Sequence, residues 1–443
     1  MRYGQAVAPD EGLVDLVSAA AVPFGGMADP VLARLADSLA AADVVCLGEA
    51  THGTAEFYHC RAALTRHLVE RHGFTIVAAE ADWPDAARID RFVRLREGDG
   101  DGEPPFQRFP TWMWRNREVE SFIRWLRGHN EGVAEPGKRV GVYGLDLYSL
   151  GGSIRAVLDY LQRVDPEAAA AAKRRYGCLT PFQEEPAAYG MVAMRRGAPP
   201  CEQAVLDTLK DLLSKRLDYM ARDPDAFVDA QANARLVASA ERYYRAMYDY
   251  GEESWNLRDT HMVETLAQVL AARGPGAKAV VWAHNSHLGD CRATQMGRGG
   301  QVNVGQLCRE RFGEGAVRLV GFGTDRGTVA AADDWDGPVR FIPINPARDD
   351  SYEGICAHTG HDRFHLDLSP AVNPEAVAAL HAPRLERAIG VIYRPDTERQ
   401  SHYFTAELSR QFDHWLWFAE TTPVTPLADE HGAGALETWP FGV

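Results

Sequence analysis

Four apolar runs in this chain each stop at titratable residues. Val44-Val45-Cys46-Leu47 leads into Gly48-Glu49-Ala50-Thr51-His52-Gly53. Phe74-Thr75-Ile76-Val77-Ala78-Ala79 ends at Glu80 and Asp82. Val140-Gly141-Val142-Tyr143-Gly144 ends at Asp146, and Ala279-Val280-Val281-Trp282-Ala283 ends at His284, with His287 just beyond. Short continuous apolar runs bounded by turn residues read as buried strands. The segments between the first three carry helical periodicity, so strand and helix alternate and the fold is α/β, a layered parallel or mixed sheet with flanking helices. In open sheets of this kind ligands bind beyond the carboxyl ends of the strands. Four strands that each finish in an acid or an imidazole therefore predict one site at one sheet edge.

The first half of the α/β core spans 1–150 and opens with a lead-in over 1–42, in which Leu32, Leu35 and Leu39 mark one helix. A helix from about 54 to 72 stops at Gly73, a second begins at Pro84, and a third over 116–127 places Val119, Phe122, Ile123 and Leu126 on one face. Residues 151–274 hold almost nothing but helical pattern and read as a large all-helical insertion, or lid, between two strands of the sheet. The second half of the core runs over 275–428, with strands expected at 277–284, 316–323, 329–331, 341–344, 364–366 and 391–393. Residues 429–443 read as a tail.

Composition narrows the partners. The 47 basic and 62 acidic side chains leave a net charge of −15, which argues against a nucleic-acid footprint or an anionic membrane surface. No apolar run is long enough to span a bilayer, and Met1-Arg2-Tyr3-Gly4-Gln5 leads into no signal core, so the expectation is a cytoplasmic protein. The 7 cysteines are dispersed, without a Cys-x-x-Cys pair, and read as reduced core thiols.

The chemistry starts from Arg61. It falls in register with Phe57, Leu64 and Leu68, on the face its helix turns to the core. A guanidinium there needs carboxylates, and Glu49 and Glu80, read as the ends of adjacent strands, are the expected partners; the alternative is that Arg61 reaches past the helix to water. His52, beside the same two acids, reads as a general base whose tautomer they set. His284 and His287 read either as metal ligands in His-x-x-His spacing or as acid/base and oxyanion groups. Gly-x-Ser-x-Gly, the P-loop and Gly-x-Gly-x-x-Gly are all missing, which leaves water activated by a base as the simplest mechanism. Trp112, Trp114 and Arg115 head a helix, where they read either as a pocket wall or as core tryptophans beside a surface charge.

Taken together, Leu47-Gly48-Glu49-Ala50-Thr51-His52-Gly53-Thr54, Ala79-Glu80-Ala81-Asp82-Trp83, Thr111-Trp112-Met113-Trp114-Arg115-Asn116, Gly144-Leu145-Asp146-Leu147-Tyr148, Trp282-Ala283-His284-Asn285-Ser286-His287, Gly390-Val391-Ile392-Tyr393-Arg394-Pro395 and Ser401-His402-Tyr403 resemble the erythromycin esterase family. The resemblance runs from about 40 to about 425. It implies an α/β core with the helical insertion over a deep cleft, and a hydrolase that opens lactones by water attack. It further implies that His52 is the base and that Glu49, Glu80, Arg61, His284 and His287 occupy the other active-site positions. Trp112, Trp114, Arg115 and Asp146 are the expected substrate-binding residues, and the expected partner is a small molecule. No cofactor is expected, although a divalent metal in the same pocket, acting on an amide, ester or phosphoester, is an alternative. A second alternative is a non-catalytic protein that binds a bulky metabolite.

Overall fold

A computed structural model describes residues 10–96, 105–196, 201–248 and 252–427. Eleven strands are present among them: β1 (Val22–Pro23), β2 (Val44–Leu47), β3 (Ile76–Asp82), β4 (Gly141–Asp146), β5 (Ala279–Trp282), β6 (Val317–Ala331), β7 (Arg340–Ile344), β8 (Arg363–Asp367), β9 (Arg384–Arg387), β10 (Tyr403–Ala406) and β11 (His414–Thr421). Nine form one sheet in the order β1-β8-β11-β6-β2-β5-β3-β4, with β7 on the far end of β6, while β9 and β10 pair separately. The six strands from β11 to β4 are parallel, and β8 and β1 complete one edge in antiparallel pairing.

Two expectations about the strands are corrected. The runs at 316–323 and 329–331 are one strand, β6, which stays in the sheet through Gly323 and the polar residues that follow. Residues 391–393 form no named strand; Ile392 makes a single bridge to Ala332. The proposed tail at 429–443 lies outside the described residues.

Successive residues of the central strands serve opposite faces, as the two-residue period of a strand requires. Val44 and Cys46 join a core that continues into the insertion through Val237, Tyr244 and Leu266. Val45 and Leu47 pack on the other side with Phe57, Leu64 and Leu68 of the helix Ala55–His72. Gly73 ends that helix in the left-handed region at φ 71°, where glycine has no Cβ penalty. The lead-in helix appears as Pro30–Leu39, capped by Asp29, whose carboxylate accepts from Val31 N at 2.9 Å. Asn116 caps the helix Arg117–Glu131 in the same way, accepting from Val119 N at 2.8 Å.

The insertion is helical throughout its described part. Its helices are Leu150–Val164, Pro166–Arg175, Pro186–Arg196, Glu202–Ser214, Arg216–Arg222, Pro224–Ala246 and Glu253–Arg273, with short 3₁₀ turns between. Cys178 and Cys201 are paired as a disulfide there, which overturns the expectation of reduced core thiols at these two positions; Cys46, Cys60, Cys291, Cys308 and Cys356 are free and buried. No described helix is long and apolar enough to cross a membrane.

Candidate active site

Parallel pairing brings the chemistry together. Leu47 and Ala79 both lie opposite Trp282, so β2, β5 and β3 end at the same level. Glu49, His284 and Glu80 follow within two residues of those ends. β5 lies between β2 and β3, so Glu49 and Glu80 are not on adjacent strands as expected, and His284 sits between them. Gly48 permits the close approach of the next segment, since a Cβ there would lie 2.2 Å from Asn285 Oδ1. Asn285 N in turn donates to Glu49 O at 2.8 Å.

His52 Nδ1 lies 2.8 Å from Glu49 Oε1, with both side chains buried. The carboxylate accepts the hydrogen bond from Nδ1–H, which in the neutral ring leaves the lone pair on Nε2, on a residue that lines the cleft. Arg61 is fully buried and pairs with the other oxygen, Nη2 to Glu49 Oε2 at 2.7 Å. The contact is an ion pair rather than an aligned hydrogen bond. Arg61 also lies over the rings of Tyr58 at 4.3 Å and Trp282 at 5.0 Å. It does not share Glu80, because β5 intervenes.

Glu80 is held by a different cation, one that the sequence analysis missed. Arg258, on the insertion helix Glu253–Arg273, places Nη2 2.6 Å from Glu80 Oε1 and 2.7 Å from Asp146 Oδ2, with Nε 3.0 Å from Asp146 Oδ1. His284 N donates to Glu80 Oε2 at 2.9 Å. Burial alone would raise the Glu80 pKa, but His287 and Arg258 hold it well below the usual carboxylate range. The signal for Arg258 was present: with Trp255, Asp259, Met262 and Leu266 it follows the spacing of a buried helix face, the same spacing that singled out Arg61.

The two downstream imidazoles differ in state. His287 Nδ1 sits 2.9 Å from both oxygens of Asp259, its Nε2 lies 3.3 Å from Glu80 Oε1, and its ring stacks on Trp255 at 4.5 Å. Burial opposes its charge, but Asp259 and Glu80 outweigh burial and raise the pKa to about 9; Arg258 Nη1, 3.0 Å from Nε2, works against them. His284 Nδ1 accepts from Ser286 N at 3.2 Å, and burial with the neighbouring His52 pushes its pKa far below the imidazole range. His284 is therefore neutral. Its ring lies 4.9 Å from that of His52. Both His284 and His287 are fully buried, and neither lines the cleft.

The cleft opens beside His52, between Glu80, Asp82 and Asp146 at the strand ends, Tyr148 and Arg258 of the insertion side, and Phe106, Arg108, Phe109 and Pro110 of a covering loop. Its volume is about 80 Å³. Trp114 forms part of the wall and donates from Nε1 to Glu80 O at 3.0 Å. Trp112 and Arg115 are not among the lining residues: Trp112 is buried against Phe109, itself part of the wall, at 5.3 Å between ring centroids. Asp82 also faces the cleft. Its Oδ2 lies 2.5 Å from Arg108, and burial raises its pKa to about 6 despite that arginine.

The donor set does not suit a metal. Glu49, Arg61, Asp259 and Arg258 already engage the imidazoles and carboxylates of the site in pairs. Among the described residues, three ligand atoms converge only at Asp37, His67 and His72, on another part of the surface.

The sequence model described as "Erythromycin esterase" matches residues 69–421. The Escherichia coli protein named erythromycin esterase type I is 23% identical over 305 residues, 64% of this chain and 70% of that one. A solved structure titled as a succinoglycan biosynthesis protein is 21% identical and covers 96% of this chain and 100% of its own, with a TM-score of 0.76. A mutant of the erythromycin esterase EreC, solved in an open conformation, is 20% identical and covers 88% of this chain and 93% of its own, with a TM-score of 0.63.

Proposed function

The chain belongs to the erythromycin esterase family, and from that premise we propose that it is a carboxylic ester hydrolase, with lactones of the macrolide type as its leading substrate class. The observation that carries this reading is the buried His52–Glu49 pair at 2.8 Å, with His52 lining a cleft walled by carboxylates and two arginines, Arg108 and Arg258. His52 Nε2 takes a proton from water, and the oxygen of that water bonds to the acyl carbon. The carbonyl electrons move onto oxygen, where the field of Arg258 steadies them. As the tetrahedral species collapses, the C–O bond breaks and the imidazolium returns its proton to the departing alkoxide. The products are an acid and an alcohol, and for a lactone the two remain one molecule. Neutral His284 backs the His52 ring, and Glu80 anchors Arg258 and the His284 backbone.

The test is a mass-spectrometric screen of macrolides and simple esters for the gain of one water, repeated with His52→Ala. Turnover is expected to fall by about 10²–10⁴-fold in the variant, the usual worth of a general base, with the thermal midpoint retained. Unchanged turnover by folded His52→Ala would overturn the role.

A further inference from the structure

One cluster of ligating side chains lies well away from the cleft. Asp37 belongs to the helix Pro30–Leu39, and His67 and His72 stand in the last turns of the helix Ala55–His72. Both imidazoles aim the same atom at the same oxygen: Nε2 of His67 lies 2.6 Å and Nε2 of His72 2.7 Å from Asp37 Oδ1. The rings face each other at 5.6 Å with a tilt of 39°. All three ligand atoms fall within 4.8 Å of one another. The cluster is open to solvent, with His67 26%, His72 28% and Asp37 56% exposed.

We infer that Asp37, His67 and His72 form a second, non-catalytic site for a divalent transition metal of the zinc class, clamping the lead-in helix to the helix that follows His52. Two imidazoles and one carboxylate are a borderline donor set that suits zinc, nickel or copper and not magnesium or calcium, which prefer oxygen alone. In the metal-free arrangement each ring donates an Nε2–H hydrogen bond to one shared oxygen. Metal binding needs the Nε2 lone pair: in a neutral ring that proton moves to Nδ1, in an imidazolium one proton is released, and the cation takes the place of the two N–H groups. Tetrahedral zinc separates its nitrogen and oxygen ligands by about 3.3 Å, so each side chain must withdraw by well under 1 Å. Partly exposed side chains near helix ends make that shift by small rotations. Water fills the fourth position, which makes the site exchangeable rather than a closed structural centre. The site lies toward the opposite end of its helix from His52, about 18–26 Å along the axis from the first helical residue, so it does not depend on the hydrolase reading.

The experiment titrates the chelator-treated full chain with zinc chloride by calorimetry, alongside His67→Gln, His72→Gln and Asp37→Asn. The unaltered protein is expected to bind one zinc in the micromolar range and to unfold at a higher temperature with zinc present. Each variant is expected to bind at least about tenfold more weakly, a loss of about 1.4 kcal/mol. The metal-free thermal midpoints report folding of the variants. A measurement on the unaltered chain stands beside them: zinc is expected to shield His67 and His72 from carbethoxylation. No zinc uptake, no shielding, or variants that bind as the unaltered chain does would each overturn the inference.

Discussion

Glu49 serves two partners of different kinds. One oxygen orients His52 and the other neutralises Arg61, which is wholly buried. Removing one member of a buried pair is strongly destabilising because it strands a charge, typically by about 3–5 kcal/mol. Glu49→Gln should therefore lose stability of that order as well as activity. The two losses are separable. In Glu49→Gln/Arg61→Leu the stranded charge is gone, so denaturant unfolding should recover most of the stability. Turnover should stay depressed by about 10²-fold or more, since the imidazole tautomer is no longer set. Recovery of turnover in the double variant would show that Glu49 acts on stability alone. His284 has no such second duty, and its neutral state follows from its complete burial.

At the scale of elements, the insertion is tied to the sheet by charge. Arg258 reaches from the helix Glu253–Arg273 to Glu80 at the end of β3 and Asp146 at the end of β4. Arg258→Ala would take the guanidinium from Asp146 and leave Glu80 to His287 alone, and a destabilisation of about 3–5 kcal/mol is expected in urea unfolding. Arg258→Lys should recover only part of it, because one ammonium cannot meet two acids in the fork geometry of a guanidinium. The same helix supplies Asp259 to His287, whose pKa is raised to about 9. A raised imidazole pKa stabilises the folded state fully below the unfolded value of about 6.5. That contribution is lost as pH climbs through about 9. Thermal midpoints should therefore fall between those limits, and Asp259→Asn should flatten the slope across that window. A slope unchanged by Asp259→Asn would assign the titration to another group.

For the molecule as a whole, the cleft volume is the governing quantity. About 80 Å³ holds a few waters, whereas pockets for drug-sized ligands enclose about 300–1,000 Å³. A macrolide therefore fits only if the insertion and the loop carrying Phe106, Arg108 and Phe109 draw back from the strand ends. Hydrogen exchange across 105–113 and 146–150 should slow when a slow substrate or product analogue binds. Identical exchange with and without ligand would favour small esters over macrolides. Arg108→Ala, which releases the contact to Asp82, should lower KM for bulky esters more than for small ones.

Much of this architecture was already legible along the chain. Buried parallel strands are apolar at every position, so β2, β3, β4 and β5 stand out as runs without alternation, and their ends locate Glu49, His52, Glu80, Asp146, His284 and His287. A cation in the apolar register of a helix likewise marked Arg61 as buried. What remained hidden was every fact that depends on which strand lies beside which. The insertion of β5 between β2 and β3 gave Arg61 to Glu49 alone and left Glu80 to Arg258, a residue distant in sequence from both. Of the Trp112, Trp114 and Arg115 group only Trp114 lines the cleft, which the sequence spacing of the three could not distinguish. Composition and periodicity record which faces must be buried; the partner of a buried charge is decided by strand order and helix packing, which bring together residues that no local pattern connects.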